Sequence, residues 1–164
     1  MNEIKPMKLL FVCTGNICRS PTAEAVMRER LRARKLEHLF VLDSAGIQSY
    51  HIGSAPDLRT QAAASARGII MKDLKARQIS FQDFKDFDLI FAMDKSHYHW
   101  MRAMSPGADK VKLYLDFAGV PRPKEVPDPY HGEEKDFALV LDLIEHATDL
   151  LLMKLLRKAP DARL

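Results

Sequence analysis

Apolar residues along this chain fall into short continuous runs that alternate with stretches of three- and four-residue spacing. That alternation predicts strands exchanging with helices. Residues 8–12, 40–45, 88–93 and 111–115 carry the continuous runs and read as four strands, the second ended by Gly46. The run 88–93 is apolar at both parities, which marks a central strand covered on both faces. Residues 21–35 read as a helix with Ala23, Val26, Met27 and Leu31 on one face and Pro21 in its opening turn. Residues 57–67 read as a small-residue helix stopped at Gly68, and 80–85 as a short capped helical turn. Asp94 or Ser96 caps a helix that runs to Met104, where Ser105-Pro106-Gly107 breaks it. Residues 116–132, dense in proline and glycine, read as irregular. Beyond Glu133, the recurrence of Phe137, Val140, Ile144, Ala147, Leu151 and Leu155 predicts a long amphipathic helix lying on the sheet. The expected fold is α/β: one domain over residues 1–164, a four-stranded parallel twisted sheet with helices on both faces.

In a parallel sheet, reactive groups collect outside the carboxyl ends of the strands. The loop after the first strand reads Cys13-Thr14-Gly15-Asn16-Ile17-Cys18-Arg19-Ser20, and Pro21 follows in the helix. A cysteine at a strand end, a tight polar loop and an arginine at a helix start form an oxyanion trap. Loop amides and the first unpaired N–H groups of the helix converge on one point. Such a field stabilises a thiolate as well as it binds phosphate. Gly15 and Asn16 both tolerate a left-handed turn, and the Asn16 amide can brace the loop from within. Arg19 supplies a planar fork for two phosphate oxygens, and Ser20 can donate to the Cys13 sulfur. The loops at 44–56 and 116–132 open on the same edge and can reach this point.

Composition removes several other classes of function. A net charge of +3 over 164 residues, with no block of like charge, favours neither nucleic acid nor a membrane surface as partner. No apolar stretch is long enough to span a bilayer, and residues 1–6 lack the pattern of a signal peptide. Two cysteines in one loop are not a disulfide framework, and six scattered histidines show no metal-ligand spacing. We read those histidines as surface or core residues and expect neither metal nor cofactor. A reactive thiol suits a cytoplasmic, reducing compartment.

The run Val12-Cys13-Thr14-Gly15-Asn16-Ile17-Cys18-Arg19-Ser20-Pro21 resembles the active-site motif C-x5-R-S of the low-molecular-weight protein tyrosine phosphatases. The resemblance continues through Asp43-Ser44-Ala45-Gly46, Lys75-Ala76-Arg77-Gln78-Ile79, Ala92-Met93-Asp94 and Asp128-Pro129-Tyr130, in order over nearly the whole chain. It implies metal-free hydrolysis of protein phosphotyrosine through a phosphocysteine. Cys13 would be the nucleophile, Arg19 and the amides of residues 14–18 the phosphate cradle, and Asp128 the acid and then the base. It further implies that Asn16 and Ser44 brace the loop, that Tyr50 and Tyr130 wall a deep slot, and that Cys18 forms a reversible disulfide with Cys13. The implied partner is a phosphotyrosine protein, with tyrosine kinases among the candidates.

Two departures from the family pattern stand out. Leu74 occupies the place where many relatives carry a loop-bracing histidine, and His131 stands where animal members have a second tyrosine. Three other functions remain open on the sequence. An arsenate reductase would need further cysteines, and none follows Cys18. A phosphoarginine phosphatase of the family carries threonine where Ile17 stands. A phosphate-binding module without catalysis would be expected if Cys13, Arg19 or Asp128 were replaced, and all three are present.

Overall fold

The computed structural model describes residues 5–105 and 109–158. Four parallel strands form one sheet: β1 Met7–Cys13, β2 Phe40–Gly46, β3 Leu89–Ala92 and β4 Val111–Leu113, in the order β2-β1-β3-β4. The helices are α1 Arg19–Ala33, α2 Leu58–Ser65, α3 Asp83–Asp86, α4 Lys95–Met104, α5 Tyr114–Ala118 and α6 Glu134–Lys158. After β1 the chain crosses to β2 on one side of it and later returns to β3 on the other. That reversal opens a crevice at the carboxyl ends of β1 and β3.

Strand side chains alternate between two apolar layers. Leu9, Phe11, Phe91 and Met93 pack with Val26, Met27 and Leu31 of α1 and with Val140, Ile144, Leu151 and Leu155 of α6. Leu10, Val12, Ile90 and Ala92 face the other way, against Met101 of α4. The predicted apolar faces of α1 and α6 are the buried ones. In the first layer the rings of Phe11, Phe91 and Tyr114 lie 5.3–5.6 Å apart, and the buried Tyr114 hydroxyl is 2.6 Å from Thr148 Oγ1. Ring pairs at this separation add to the gain from burial alone.

The fourth strand is shorter than the predicted 111–115. β3 offers pairing only as far as Ala92, opposite Leu113, so the chain has no ladder to continue. Tyr114 and Leu115 instead open α5, which runs on to Ala118 in the segment read as irregular, and their burial favours the turn into helix. Helix α2 begins one residue later than expected because Asp57 is its N-cap, accepting from the Arg59 amide. Of the two predicted caps, Asp94 is the N-cap of α4 and Ser96 lies within the helix; the capping box is completed by His97. Of the predicted Ser105-Pro106-Gly107 break, Pro106 and Gly107 lie outside the described residues.

Candidate active site

The loop between β1 and α1 is built by close backbone approach. Gly46, at the end of β2, lies directly against it: a Cβ there would sit 2.8 Å from the Thr14 carbonyl oxygen and about as close to Gly15 and Asn16. The amides of Ile47 and Gln48 donate to the carbonyls of Cys13 and Thr14, each at 2.9 Å. Read from the sequence, Gly46 only ends a strand; its further role is to let β2 press on the loop.

Asn16, not Gly15, takes the left-handed conformation, with φ of 58°. At Gly15 a Cβ would lie 2.9 Å from the His51 ring, which would have to shift to admit it. The buried Asn16 side chain pays back its unusual backbone with three hydrogen bonds. Its Nδ2 donates to Ser20 Oγ (2.8 Å) and Ser44 Oγ (2.9 Å), and its Oδ1 accepts the Arg77 amide (3.0 Å). Because one amide supplies both protons, each hydroxyl is free to direct its own proton onward. Ser44 donates to Glu24 Oε1 at 2.6 Å, and Ser20 Oγ lies 3.0 Å from Cys13 Sγ. Burial, opposed by the Ser44 bond, pushes the Glu24 carboxyl up. Leu74, at the place of the relatives' histidine, packs on the main apolar layer.

Arg19 is 3% exposed, and one edge of its guanidinium is already engaged. Nη1 donates to Asp94 Oδ2 (2.7 Å) and to the Val126 carbonyl (3.0 Å). Nη2 faces Thr14 Oγ1 (3.4 Å) and Asp128 Oδ2 (3.6 Å). Burial works against ionising Asp94, but hydrogen bonds from Ser96 and Arg19 outweigh it and hold the carboxyl down at about 2. Val126 also donates its amide to the Met93 carbonyl, at 2.8 Å. These bonds tie the 116–132 segment to the end of β3 and bring Asp128 to Arg19.

One cavity of about 430 Å³ is lined by Cys13, Thr14, Gly15, Ile17, Cys18, Arg19, Tyr50, Asp128 and Tyr130, with His51 and His131. Asn16, Ser20 and Ser44 are buried in the hydrogen-bond network behind that lining. Asp128 is half exposed at the rim, and its Oδ1 accepts the Tyr130 amide (3.1 Å). Tyr130 is flanked by the rings of His51 and His131 and by the Arg59 guanidinium. Tyr50 remains 74% exposed, a loose wall rather than a packed one. Cys13 and Cys18 are both free and buried; burial pushes the Cys18 thiol up to about 12.

The sequence reading missed Asp94 as a partner of Arg19, and it missed His97 altogether, taken as an ordinary surface or core residue. His97 is buried with its Nε2 2.8 Å from Thr14 Oγ1. The available signal for both was position: an acid directly beyond the third strand, and a ring three residues later in the first turn of its helix. Among the described residues no group of three or more His, Cys, Asp or Glu side chains could hold a metal ion, and no helix is long and apolar enough to cross a membrane.

The family model described as low molecular weight phosphotyrosine protein phosphatase matches residues 8–161. A phosphatase of that name from Gallus gallus is 40% identical over 143 residues, 85% of this chain and 89% of the relative. The crystal structure of a protein tyrosine phosphatase from Entamoeba histolytica superposes with a TM-score of 0.88 at 43% identity, covering 93% of this chain and 98% of that one. A drosophila arginine phosphatase superposes with a TM-score of 0.84 at 34% identity, covering 91% and 98%. With its thiol, guanidinium and carboxylate converging at the mouth of one parallel sheet, this chain belongs to the low molecular weight phosphotyrosine protein phosphatase family.

Proposed function

We propose that this protein hydrolyses protein phosphotyrosine to tyrosine and inorganic phosphate, with Cys13 as nucleophile. In the first step the Cys13 thiolate attacks phosphorus, an S–P bond forms, and the P–O bond to the phenol breaks. Asp128 gives its proton to the departing phenolate oxygen. In the second step water attacks the phosphocysteine while Asp128 takes its proton. The S–P bond breaks, phosphate leaves, and the thiolate is restored. Arg19 Nη2 and the loop amides carry the charge on the phosphoryl oxygens through both steps. Ser20 Oγ, which accepts from the Asn16 amide and lies 3.0 Å from Sγ, can donate its proton to sulfur when sulfur is the leaving group.

The observation that carries this reading is the convergence of Cys13, Arg19 and Asp128 on one cavity, although Asp128 is more than a hundred residues along the chain. The apolar Ile17 and the rings of Tyr50 and Tyr130 suit a phenyl group better than a guanidinium, and so support phosphotyrosine over phosphoarginine. The partner is accordingly a phosphotyrosine protein, with tyrosine kinases among the candidates, in a reducing cytoplasm that keeps Cys13 a thiol. Cys18 serves as its redox guard: once a peroxide has oxidised Cys13 to a sulfenic acid, the Cys18 thiol displaces water to form a disulfide, which a cellular thiol later reduces.

The test is hydrolysis of p-nitrophenyl phosphate in EDTA, followed by matched phosphotyrosine and phosphoarginine peptides. We expect full activity in chelator, none in Cys13→Ser, and a loss of about two to four orders of magnitude in Asp128→Ala. A strict requirement for a divalent metal would overturn the mechanism, and faster turnover of phosphoarginine would overturn the substrate.

A further inference from the structure

His97 is a buried titratable side chain that the two-step chemistry leaves unused. It occupies the first turn of α4, and both of its ring nitrogens are engaged. Nδ1 lies 3.3 Å from both the backbone N and Oδ1 of Asp94. That oxygen already accepts the Ser96 hydroxyl and the His97 amide (3.1 Å), so Nδ1 takes the Asp94 N–H and completes the capping box. A nitrogen that accepts carries no proton, so the neutral ring has its proton on Nε2. Burial and then the Arg19 charge hold the ring down at about 4, so the neutral form is the working one. Around the ring stand Arg19, Asp94, Asp128 and Glu125, one cation against three carboxylates.

Nε2–H therefore donates to Thr14 Oγ1, at 2.8 Å. Arg19 Nη2 approaches the same oxygen at 3.4 Å. With both of its lone pairs facing donors, the Thr14 hydroxyl turns its own proton elsewhere. Thr14 lines the cavity beside Cys13, Arg19 and Asp128, where a phosphoryl oxygen would be the acceptor. Asp94 holds Arg19 and His97 together, so one helix start sets both side chains that bear on Thr14.

We propose that His97 is a positioning residue, fixing the Thr14 hydroxyl as a hydrogen-bond donor toward the bound phosphoryl group. This inference rests on the phosphatase reading above. Two measurements test it. Long-range proton–nitrogen correlation spectra of the wild-type imidazoles at pH 7 are expected to show His97 protonated at Nε2 and bare at Nδ1. The second measurement compares kcat/KM for a phosphotyrosine peptide across variants with unchanged circular dichroism. Thr14→Val and His97→Phe should each lose about tenfold, the scale of one hydrogen bond to a charged group. The double variant should lose no more than either single one, because both remove the same donor. His97→Gln should retain most of the activity, since its amide can accept from Asp94 and donate to Thr14.

Protonation at Nδ1 in place of Nε2, a His97→Phe enzyme as active as wild type, or multiplying losses in the double variant would each overturn the proposal. Should His97→Phe fail to fold, the spectra of the wild-type protein decide alone. A wild-type protein without phosphatase activity would refute the parent reading instead, a separate and distinguishable result.

Discussion

Replacing Asn16 with alanine tests whether the hydrogen-bond network behind the loop holds the site in shape. The substitution removes three hydrogen bonds from a side chain that is 2% exposed. Ser44 keeps Glu24 as an acceptor, and Ser20 keeps Cys13, so neither hydroxyl is stranded. The Arg77 amide does lose its acceptor, at a cost of about 1–3 kcal/mol. Alanine at φ of 58° adds roughly 1 kcal/mol, because its Cβ crowds the following carbonyl and it lacks the local hydrogen bonds that make asparagine tolerable there. With the two lost amide donors the total is about 3–5 kcal/mol, against ~5–15 kcal/mol for the whole stability of a typical domain. For a domain of this size the midpoint should fall by about 10 °C or more in a thermal melt followed by circular dichroism. Ser44→Ala strands only one Asn16 donor and the Glu24 carboxyl, and should cost roughly half as much. Below the melting transition, kcat/KM of Asn16→Ala for p-nitrophenyl phosphate should drop about a hundredfold as the amide cradle loosens. An Asn16→Ala protein melting within about 3 °C of wild type, with wild-type turnover, would refute the bracing argument.

Two more outcomes follow from the same geometry. Iodoacetamide at pH 7 should modify Cys13, the proposed nucleophile, and spare Cys18, which lines the same cavity but whose thiol is pushed up to about 12 by burial. Peptide mass spectrometry reads this directly, and preferential labelling of Cys18 would contradict it. Stability should also fall as the solution is acidified from pH 6.5 toward 4. His97, held at about 4 against an ordinary 6.5, binds fewer protons folded than unfolded, so its contribution is complete above 6.5 and lost on the way down. That loss is on the order of 3 kcal/mol. Asp94, held at about 2 against 3.8, adds a further loss between those values, whereas Glu24 has the opposite sign and loses its contribution as pH rises past 4.5. Urea unfolding at several pH values should therefore show a slope that His97→Gln flattens; an equally steep slope in the variant would rule His97 out as its source.

What the sequence determined by itself is local or periodic. The β1–loop–α1 unit follows from an apolar run, a cysteine and arginine at fixed spacing, and a proline tolerated in a first helical turn, where an amide has no helical partner anyway. The apolar faces of α1 and α6 and the Asp94 cap are legible for the same reason: each depends on neighbours within about a turn of helix. Asp128 was found only because a whole motif resembled a family, since Asp-Pro-Tyr alone reads as a turn.

The tertiary structure decided which loops meet. The order β2-β1-β3-β4 sets β2 and β3 on either side of β1 and so brings Gly46 and Asp94 to the Cys13 loop. Hydrophobic periodicity does not encode that order, because any parallel neighbour would bury the same strand faces. The end of β4 at Leu113 depends on where β3 stops offering partners, not on the apolar residues that continue beyond it. The Asn16 backbone angle, the pinning of Arg19 by Asp94 and the Val126 carbonyl, and the bond between His97 and Thr14 across 83 residues all need atoms distant in the chain to arrive within 3–4 Å. Hydrogen bonds act only at such range and angle, so they are fixed by the packing of the sheet rather than by spacing along the chain.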